Sequence, residues 1–401
     1  MSTKENYWSR RDFLKTAGIA GAGSLLAPVA KLAEAADEQN QIPQRPFGKT
    51  GVQVPILSVG GTLDLSSNQL MLRQAVKWGV TYWDTAHSYR WGKSEEGIGK
   101  YFDKYPQDRK KIFLVTKSGG WTKNGMTKDL NESLERMQTD YVDLFLVHGI
   151  SGIDEMDPET KVWAEKKKSE GKIRFFGFST HSNMEECLLG AADLGWIDGI
   201  MMTYNYRLMR EDQMKRAVDA CEKAGIGLTA MKTQGGGQVK TGTETELELA
   251  GRFLNKGFTD AQAKLKAVWQ NPQIACICSR MPNMSILMSN TAAAMDKAKL
   301  SSTDKKLLQQ YARETRTDYC AGCTDICESA VGKTIPIGTV MRCLMYNRSY
   351  GDRDYAAAEY KKIPAQTRRQ MTTVDYSSAE KKCPRQISIG KLIQQAADEL
   401  A

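Results

Sequence analysis

The sequence predicts an α/β protein, a closed (β/α)8 barrel of the TIM type with a mainly helical C-terminal extension. Short apolar runs alternate with amphipathic segments from Pro43 to about Asp318, which is the pattern of a parallel sheet covered by helices. Eight such units in about 250 residues are what a closed barrel requires. With 401 residues, 41% of them hydrophobic, the chain can build this core and a smaller second unit.

The elements follow in order from the N-terminus. Gly48–Gly51 predicts the turn of a short hairpin before the barrel. Helical spacing over Ile337–Tyr350 and Ile387–Leu400 predicts helices that dock the extension on the barrel. The barrel is assigned to residues 40–318 and the extension to residues 319–401. The core strands are predicted at Ile56–Gly60, Thr81–Ala86, Ile112–Lys117, Val142–His148, Ile173–Ser179, Ile197–Asn205, Gly227–Lys232 and Ile274–Ser279.

The first residues indicate an export signal rather than part of the fold. Arg10–Lys15 carries paired arginines followed by Asp-Phe-Leu-Lys, and a Gly/Ala-rich stretch runs from Thr16 to Ala30. This pattern is typical of a twin-arginine signal, so residues 1–35 are predicted to be a signal peptide. The mature protein is then expected in the periplasm, exported in folded form. The apolar stretch is too short for a permanent membrane span.

Charge is distributed too evenly to predict a nucleic-acid partner. The net charge is +9, and the one short basic run, Lys166–Lys168, suits a solvated helix face. Nucleic-acid binding sites combine a basic stripe with interleaved aromatic residues, and the sequence lacks that pattern.

Three successive predicted strands each lead into a side chain with useful chemistry. Asp84 ends one run, Lys117 ends the next, His148 ends a third, and Tyr89 lies in the loop after Asp84. Because the carboxyl ends of barrel strands converge on one face, we expect these four side chains to meet there. An ammonium beside a phenol favours the phenolate, and a carboxylate fixes the ammonium. The set therefore predicts a tyrosine that is acidic near neutral pH.

A series of short motifs occurs in order along the predicted barrel. They are Arg45–Gly51 running on to Gly60–Gly61, then Trp83–Ala86 with Tyr89 and Gly92–Glu95, then Ser133–Arg136 with Asp140–Leu144 before His148, and finally Gly171–Arg174 with Gly177–Ser179. Together, over residues 45 to about 295, they resemble the aldo/keto reductase family.

The resemblance implies an oxidoreductase that reduces a carbonyl, or oxidises the matching alcohol, of a small-molecule substrate. Hydride would come from NADP or NAD. Tyr89 would be the general acid, and Lys117 and Asp84 would tune and hold it. His148 would orient the carbonyl and assist the proton transfer. The substrate itself depends on loops whose shapes the sequence does not reveal.

The cofactor positions depart from the family pattern. Thr180 stands where an Asn is common, Met201 where a Gln is common, and Met231 where an aromatic residue often stacks on the nicotinamide. A thioether packs against a ring but orients it less firmly. The cofactor-binding residues that the resemblance implies are Ser179, Thr180, Tyr204, Asn205, Met231, Lys232 and Arg280.

Cysteines crowd the start of the extension. Cys320, Cys323 and Cys327 lie close together, and Cys383 precedes a proline near the end of the chain. The grouping resembles the tail of aldo/keto reductases with ferredoxin-like motifs, which implies one 4Fe–4S cluster on these four thiolates, with Cys343 as an alternative fourth ligand. A zinc site on the same thiolates, disulfides, or a remnant that only packs on the barrel are the alternatives.

The extension leaves a second function open. The protein would then be an iron–sulfur electron-transfer or redox-partner protein, built on a reductase-like barrel with a vestigial nicotinamide site and acting with a partner protein. A non-catalytic binding module that retains the pocket is a third interpretation. Neither oligomeric state nor the choice between NAD and NADP follows from the sequence.

Overall fold

A closed barrel of eight parallel strands forms the centre of the molecule, and the predicted fold class is confirmed. The computed structural model describes residues 42–120, 122–236, 243–332 and 334–401, so the predicted signal peptide, residues 1–35, lies outside the described residues. The barrel strands are β3 (Leu57–Gly60), β4 (Tyr82–Asp84), β5 (Phe113–Ser118), β6 (Val142–Ile150), β7 (Ile173–Thr180), β8 (Gly199–Thr203), β9 (Gly227–Met231) and β10 (Cys276–Arg280). Each overlaps a predicted strand and ends within two residues of it.

The barrel closes through strand β10, which pairs in parallel with both β3 and β9. Before it, β1 (Gln44–Pro46) and β2 (Gln53–Pro55) form the predicted hairpin, paired antiparallel. Phe47 follows β1 and is fully buried against Tyr82 and Phe113, so the hairpin covers the end of the barrel opposite the strand carboxyl ends. The apolar side chains of the strands are buried inside the barrel or between the strands and the helices. Polar residues lie at the carboxyl ends of the strands.

Helices follow the strands and form the outer layer. They are α1 (Gln69–Lys77), α2 (Lys93–Lys104), α3 (Lys123–Met137), α4 (Pro158–Ser169), α5 (Met184–Leu194), α6 (Asp212–Lys223), α7 (Glu244–Asn255), α8 (Asp260–Trp269), α9 (Met284–Met295) and α10 (Ser302–Glu314). Many begin at side-chain caps, such as Asp157 before α4 and Ser301 before α10, which satisfy the first backbone N–H groups. Over the residues described, we find no helix with the length and apolarity to cross a membrane.

The extension folds around a second core. Its helices are α11 (Thr324–Glu328), α12 (Ile337–Arg348), α13 (Arg353–Lys361), α14 (Ala365–Met371), α15 (Ser377–Lys382) and α16 (Ile389–Leu400). Val340 and Leu344 of α12 pack with Tyr360 of α13 and Ile393 of α16 in one buried cluster. The two helices that the sequence predicts in the extension correspond to α12 and α16. In both, the apolar residues repeat at helical spacing.

Polar contacts attach the extension to the carboxyl-end face of the barrel. Asp352, before α13, accepts hydrogen bonds from Arg90 and from Arg280 of β10. Further round the barrel, Asn183 N–H donates to the Gly322 carbonyl oxygen at 2.8 Å. Gly322 has φ +85°, and a Cβ there would lie 2.1 Å from the His181 carbonyl oxygen, so only glycine fits this approach. The extension therefore covers the face on which the four predicted side chains lie.

Candidate active site

The structure brings Asp84, Lys117, Tyr89 and His148 together at the carboxyl-end face. The buried Lys117 Nζ donates to Asp84 Oδ1 at 2.5 Å and to the Thr85 carbonyl oxygen at 2.7 Å. The same Nζ lies 4.8 Å from the centroid of the Tyr89 ring. The Tyr89 and His148 rings meet edge to face at 5.5 Å. Four residues from three strand ends and one loop therefore form a single cluster, as the strand pattern predicted.

An unusual backbone segment positions Tyr89. Arg90 and Trp91 have φ values of +51° and +56°, a left-handed conformation that L-residues seldom adopt. Arg90 is held from both sides, because its Nε donates to the Thr62 carbonyl oxygen at 3.2 Å and its guanidinium pairs with Asp352. The strained turn is thus maintained by contacts with the barrel and with the extension.

The pKa of Tyr89 lies well above its ordinary value because the phenol is buried and faces the Asp84 charge. The lowered pKa that we predicted is therefore wrong. Lys117 aims its donors at Asp84 and Thr85, and its ammonium faces the ring rather than bonding to the hydroxyl. At neutral pH Tyr89 holds its proton, which suits a proton donor.

His148 is neutral at physiological pH. Burial, followed by the positive charges of Lys117 and Lys362, lowers the pKa of the imidazole to about 3. A neutral imidazole has one N–H donor and one acceptor nitrogen, so it can orient a carbonyl oxygen without carrying charge. His181, to which the sequence assigned no role, lies in the same cavity wall, and burial lowers its pKa well below the ordinary value.

The cluster opens into a cavity of about 730 Å³. Barrel residues form one side, and the extension supplies the other. This size is within the range of ligand pockets in proteins. The side chains from the extension, which sequence reasoning did not place in the site, are Thr339, Arg342, Tyr346, Tyr350, Asp352, Tyr355, Glu359 and Lys362. The tyrosines at helical spacing were a visible signal, but spacing alone does not tell whether such residues face a core or a cavity.

Three of the predicted cofactor residues, Met231, Lys232 and Arg280, line this cavity. Met201, which replaces the expected Gln, lines it too. Buried in the same wall, Gln234 Oε1 and Arg280 Nε have no hydrogen-bond partner among the described residues. Unpaired polar atoms in a wall of this size suit a polar, phosphate-bearing group, so the residues present fit a nicotinamide dinucleotide.

The other four predicted cofactor residues use their side chains within the protein. Ser179 Oγ accepts from Gly149 N–H at 3.0 Å, and the one Thr180 hydroxyl proton lies within reach of the Ile150 and Ser182 carbonyl oxygens. The Tyr204 hydroxyl accepts a hydrogen bond from Asn271 Nδ2, while Asn205 Nδ2 donates to the Tyr319 hydroxyl at 2.8 Å. Their side chains stabilise the loops after β7 and β8, and we do not find them on the cavity wall among the described residues.

The four extension cysteines lie around a second, smaller cavity. Cys320, Cys323, Cys327 and Cys383 line it together with apolar side chains of the extension. All are free thiols, and burial raises the pKa of Cys323 and of Cys327 to about 12. The alternative ligand, Cys343, is instead buried in the second core with apolar neighbours. None of these four cysteines is paired in a disulfide in the structure.

Zinc does not suit this arrangement. Zinc needs its four ligands about 2.3 Å from one point. In the part of the chain that the structure describes, we find no group of three or more His, Cys, Asp or Glu side chains that could hold a metal ion. The four thiols share a cavity wall, and the described residues show a formed site neither for zinc nor for an iron–sulfur cluster.

Comparisons with known proteins identify the family to which the barrel belongs. Residues 56–280 match the model of the aldo/keto reductase family. The chain is 35% identical over 161 residues to the Schizosaccharomyces pombe aldo-keto reductase yakc [NADP(+)], covering 34% of this chain and 45%, about half, of that protein. It is 25% identical over 286 residues to Arabidopsis thaliana L-galactose dehydrogenase, covering 64% of this chain and 89% of that protein.

Solved structures show the same fold. An aldo-keto reductase from Klebsiella pneumoniae in complex with NADPH superposes with a TM-score of 0.56 and 25% identity, covering 68% of this chain and 95% of that one. The family match spans more than half of the chain and includes Asp84, Tyr89, Lys117 and His148, which we call the tetrad. This protein therefore belongs to the aldo/keto reductase family, a family of oxidoreductase enzymes.

Proposed function

We propose that this protein reduces the carbonyl group of a small molecule with a nicotinamide cofactor, with Tyr89 as the general acid. The observation that carries the proposal is the convergence of Asp84, Lys117, Tyr89 and His148 beside one large cavity. NADPH is the preferred cofactor in this proposal. It is the cofactor bound in the Klebsiella pneumoniae structure, and the Schizosaccharomyces pombe relative is named for NADP(+).

Each tetrad residue has a separate task in this reaction. A bound nicotinamide supplies hydride to the carbonyl carbon. The Tyr89 hydroxyl donates its proton to the carbonyl oxygen, which completes the alcohol and leaves a phenolate. Lys117, which pairs with Asp84, faces the ring, and its positive charge stabilises the phenolate. Neutral His148 donates a hydrogen bond that orients the carbonyl.

The cavity wall supplies the groups that would hold the cofactor. Arg280 and Gln234 present polar atoms without partners among the described residues, and Met231 offers a thioether for packing. These residues bind and orient; they take no part in the proton transfer.

Replacing Tyr89 tests the proposed acid. Tyr89→Phe should lower kcat by about 10²–10⁴-fold, the usual contribution of a positioned acid. Its melting temperature should stay unchanged, because the Tyr89 hydroxyl makes no hydrogen bond within the described residues. Oxidation of NADPH in the presence of an aromatic aldehyde gives the rate. Tyr105→Phe, which removes a hydroxyl far from the cavity, is the matched control. Equal rates in the two variants would rule out Tyr89 as the acid.

A second function is favoured by the cysteine cavity. We propose that Cys320, Cys323, Cys327 and Cys383 hold one iron–sulfur cluster, which exchanges electrons with a redox partner protein. Support comes from the grouping of Cys320, Cys323 and Cys327 in the sequence and from the cavity that these three thiols share with Cys383. Because iron binds the thiolate, each thiol must lose its proton when the cluster forms, so cluster binding should weaken in acid.

Iron analysis of protein purified without air tests the cluster. The wild type should hold about four iron atoms and four acid-labile sulfides per chain, with broad visible absorbance. Cys327→Ser should lose most of the iron. Cys343→Ser, which changes a cysteine of the second core, should keep it. A colourless wild type without iron would overturn the cluster, and it would leave the test of Tyr89 unaffected.

We also propose that the protein is exported to the periplasm through the twin-arginine route. The support is the Arg10–Lys15 sequence and the Gly/Ala-rich stretch after it. Replacing Arg10 and Arg11 by lysine should retain the protein in the cytoplasm, measured by cell fractionation. Unchanged export of that variant would contradict the proposal.

A further inference from the structure

The part of the extension that covers the cavity beside the tetrad, which we call the roof, carries positive charge that the proposed reaction does not use. Arg342 of α12 and Lys362, the residue after α13, line the cavity wall together with Lys232, which follows β9. All three act on the His148 imidazole: after burial and Lys117, their charges lower its pKa. The tetrad therefore faces a cationic surface that is assembled from both the barrel and the extension.

Most charges around the cavity are paired. Lys362 Nζ lies 2.5 Å from Glu359, Lys117 lies 2.5 Å from Asp84, and Asp352 pairs with both Arg90 and Arg280. These pairs account for the acidic side chains of the cavity wall. The pairs hold the roof in place and leave little negative charge to balance additional cations.

Arg342 and Lys232 differ from the other cations. Within the described ranges, neither has a carboxylate at ion-pair distance. The Arg342 guanidinium donates to Thr339 Oγ1 at 3.3 Å and also hydrogen-bonds to the Tyr346 hydroxyl. Lys232 Nζ lies 3.2 Å from the Tyr346 hydroxyl and 4.3 Å from the centroid of that ring. Burial, followed by the Arg342 charge, lowers the pKa of Lys232 to about 7, so its amine is only partly charged at neutral pH. An anion between the two half-buried side chains would favour the charged amine and relieve the repulsion between them.

The geometry points to an anion subsite made by Arg342 and Lys232 beside the tetrad, and we propose that it binds a carboxylate or phosphate group of the carbonyl substrate. The planar guanidinium can bind either group through two parallel hydrogen bonds, and Lys232 adds a point charge. The inference rests on the proposed function, because it names the substrate class of the same cavity: small carbonyl compounds that bear an anionic group.

The same chemistry also belongs to the phosphates of the cofactor, and the test must separate the two sources. The probes are 4-carboxybenzaldehyde and its neutral methyl ester as substrates, and benzoate and benzamide as ligands that undergo no reaction. The variants are Arg342→Gln, which removes the charge, Arg342→Lys, which keeps it, and Arg348→Gln. Arg348 lies on the same helix, pairs with Glu399 outside the cavity, and is the matched control.

We expect the wild type to prefer the carboxylate aldehyde over the ester in kcat/KM. Arg342→Gln should reduce that preference tenfold or more, since a hydrogen bond between charged groups is lost. Arg342→Lys should keep it within about threefold, and Arg348→Gln should leave it unchanged. An unchanged preference in Arg342→Gln overturns the proposal. So does a tenfold weaker binding of NADPH in that variant with the substrate preference intact, because the anion would then belong to the cofactor.

Calorimetric binding of benzoate and benzamide separates this inference from the proposed reaction. A preference for benzoate that is lost in Arg342→Gln supports the subsite even if no aldehyde is reduced, in which case the proposed function fails alone. Equal binding of benzoate and benzamide to the wild type overturns the subsite even if Tyr89 proves to be the acid.

Discussion

The catalytic cavity and the cysteine cavity differ in how their reactive side chains are held. Around the first, Asp84 and Lys117 are buried at strand ends and bonded to each other, so the barrel fixes their positions. Around the second, cysteines come from a loop, a helix of five residues and the end of another short helix. Charged groups on rigid strands hold a site in place by themselves, whereas neutral thiols on short segments need a bound group to organise them.

The largest loss of stability is expected for a change at Asp84, in the cavity whose residues are fixed by the barrel strands. Asp84→Asn leaves the Lys117 ammonium buried without its carboxylate, which should cost about 3–5 kcal/mol of unfolding free energy. Chemical denaturation measures that loss. Asp212→Asn is the control, because Asp212 pairs with Lys215 at 2.9 Å on the surface. An exposed pair contributes about 0–1 kcal/mol. Equal losses in the two variants would show that burial of the Asp84–Lys117 pair is not what stabilises the site.

An intermediate effect is expected where the two regions meet. Asp352→Asn removes the negative charge that Arg90 and Arg280 share, so the extension should open more often and the Tyr89 turn should lose one of its anchors. We expect faster cleavage within the extension in limited proteolysis and several-fold lower activity. Asp354→Asn, at an exposed position two residues away, should behave as the wild type. Cleavage as slow as in the wild type would mean that apolar packing alone holds the extension.

The effect that is smallest at neutral pH and grows in acid concerns His148. The His148 pKa is about 3 in the folded protein, against an ordinary value of 6.5. Below pH 6.5 the unfolded chain therefore binds a proton that the folded chain refuses, and stability falls as the pH drops from 6.5 towards 3. The melting temperature of His148→Gln should decline less steeply over this range than that of the wild type. Parallel curves would contradict the low pKa.

Some features of the catalytic site were predictable from local sequence. Asp84, Lys117 and His148 each end an apolar run, and parallel strands of a closed barrel bring such ends to one face. The tetrad was therefore found without knowledge of any contact. The direction of the Tyr89 pKa was not, because it depends on how deeply the phenol is buried and on which atoms Lys117 bonds to.

The expected cofactor contacts show the limit of arguing by position. Ser179, Thr180, Tyr204 and Asn205 lie in the segments that the family pattern indicates, yet each side chain is bonded within the protein. Position along a strand predicts which face a residue lies near. Only the arrangement of neighbouring loops decides whether its polar atoms are already satisfied.

The sequence by itself determined the barrel, its strand order and the tetrad, because alternating apolar runs and polar strand ends are local patterns that a parallel barrel converts directly into positions. Tertiary structure alone decided that the extension covers the cavity and that Arg342 and Lys232 line the same wall. Those residues are more than a hundred positions apart, and their meeting depends on how two separately packed cores join. No periodicity within either segment encodes that join.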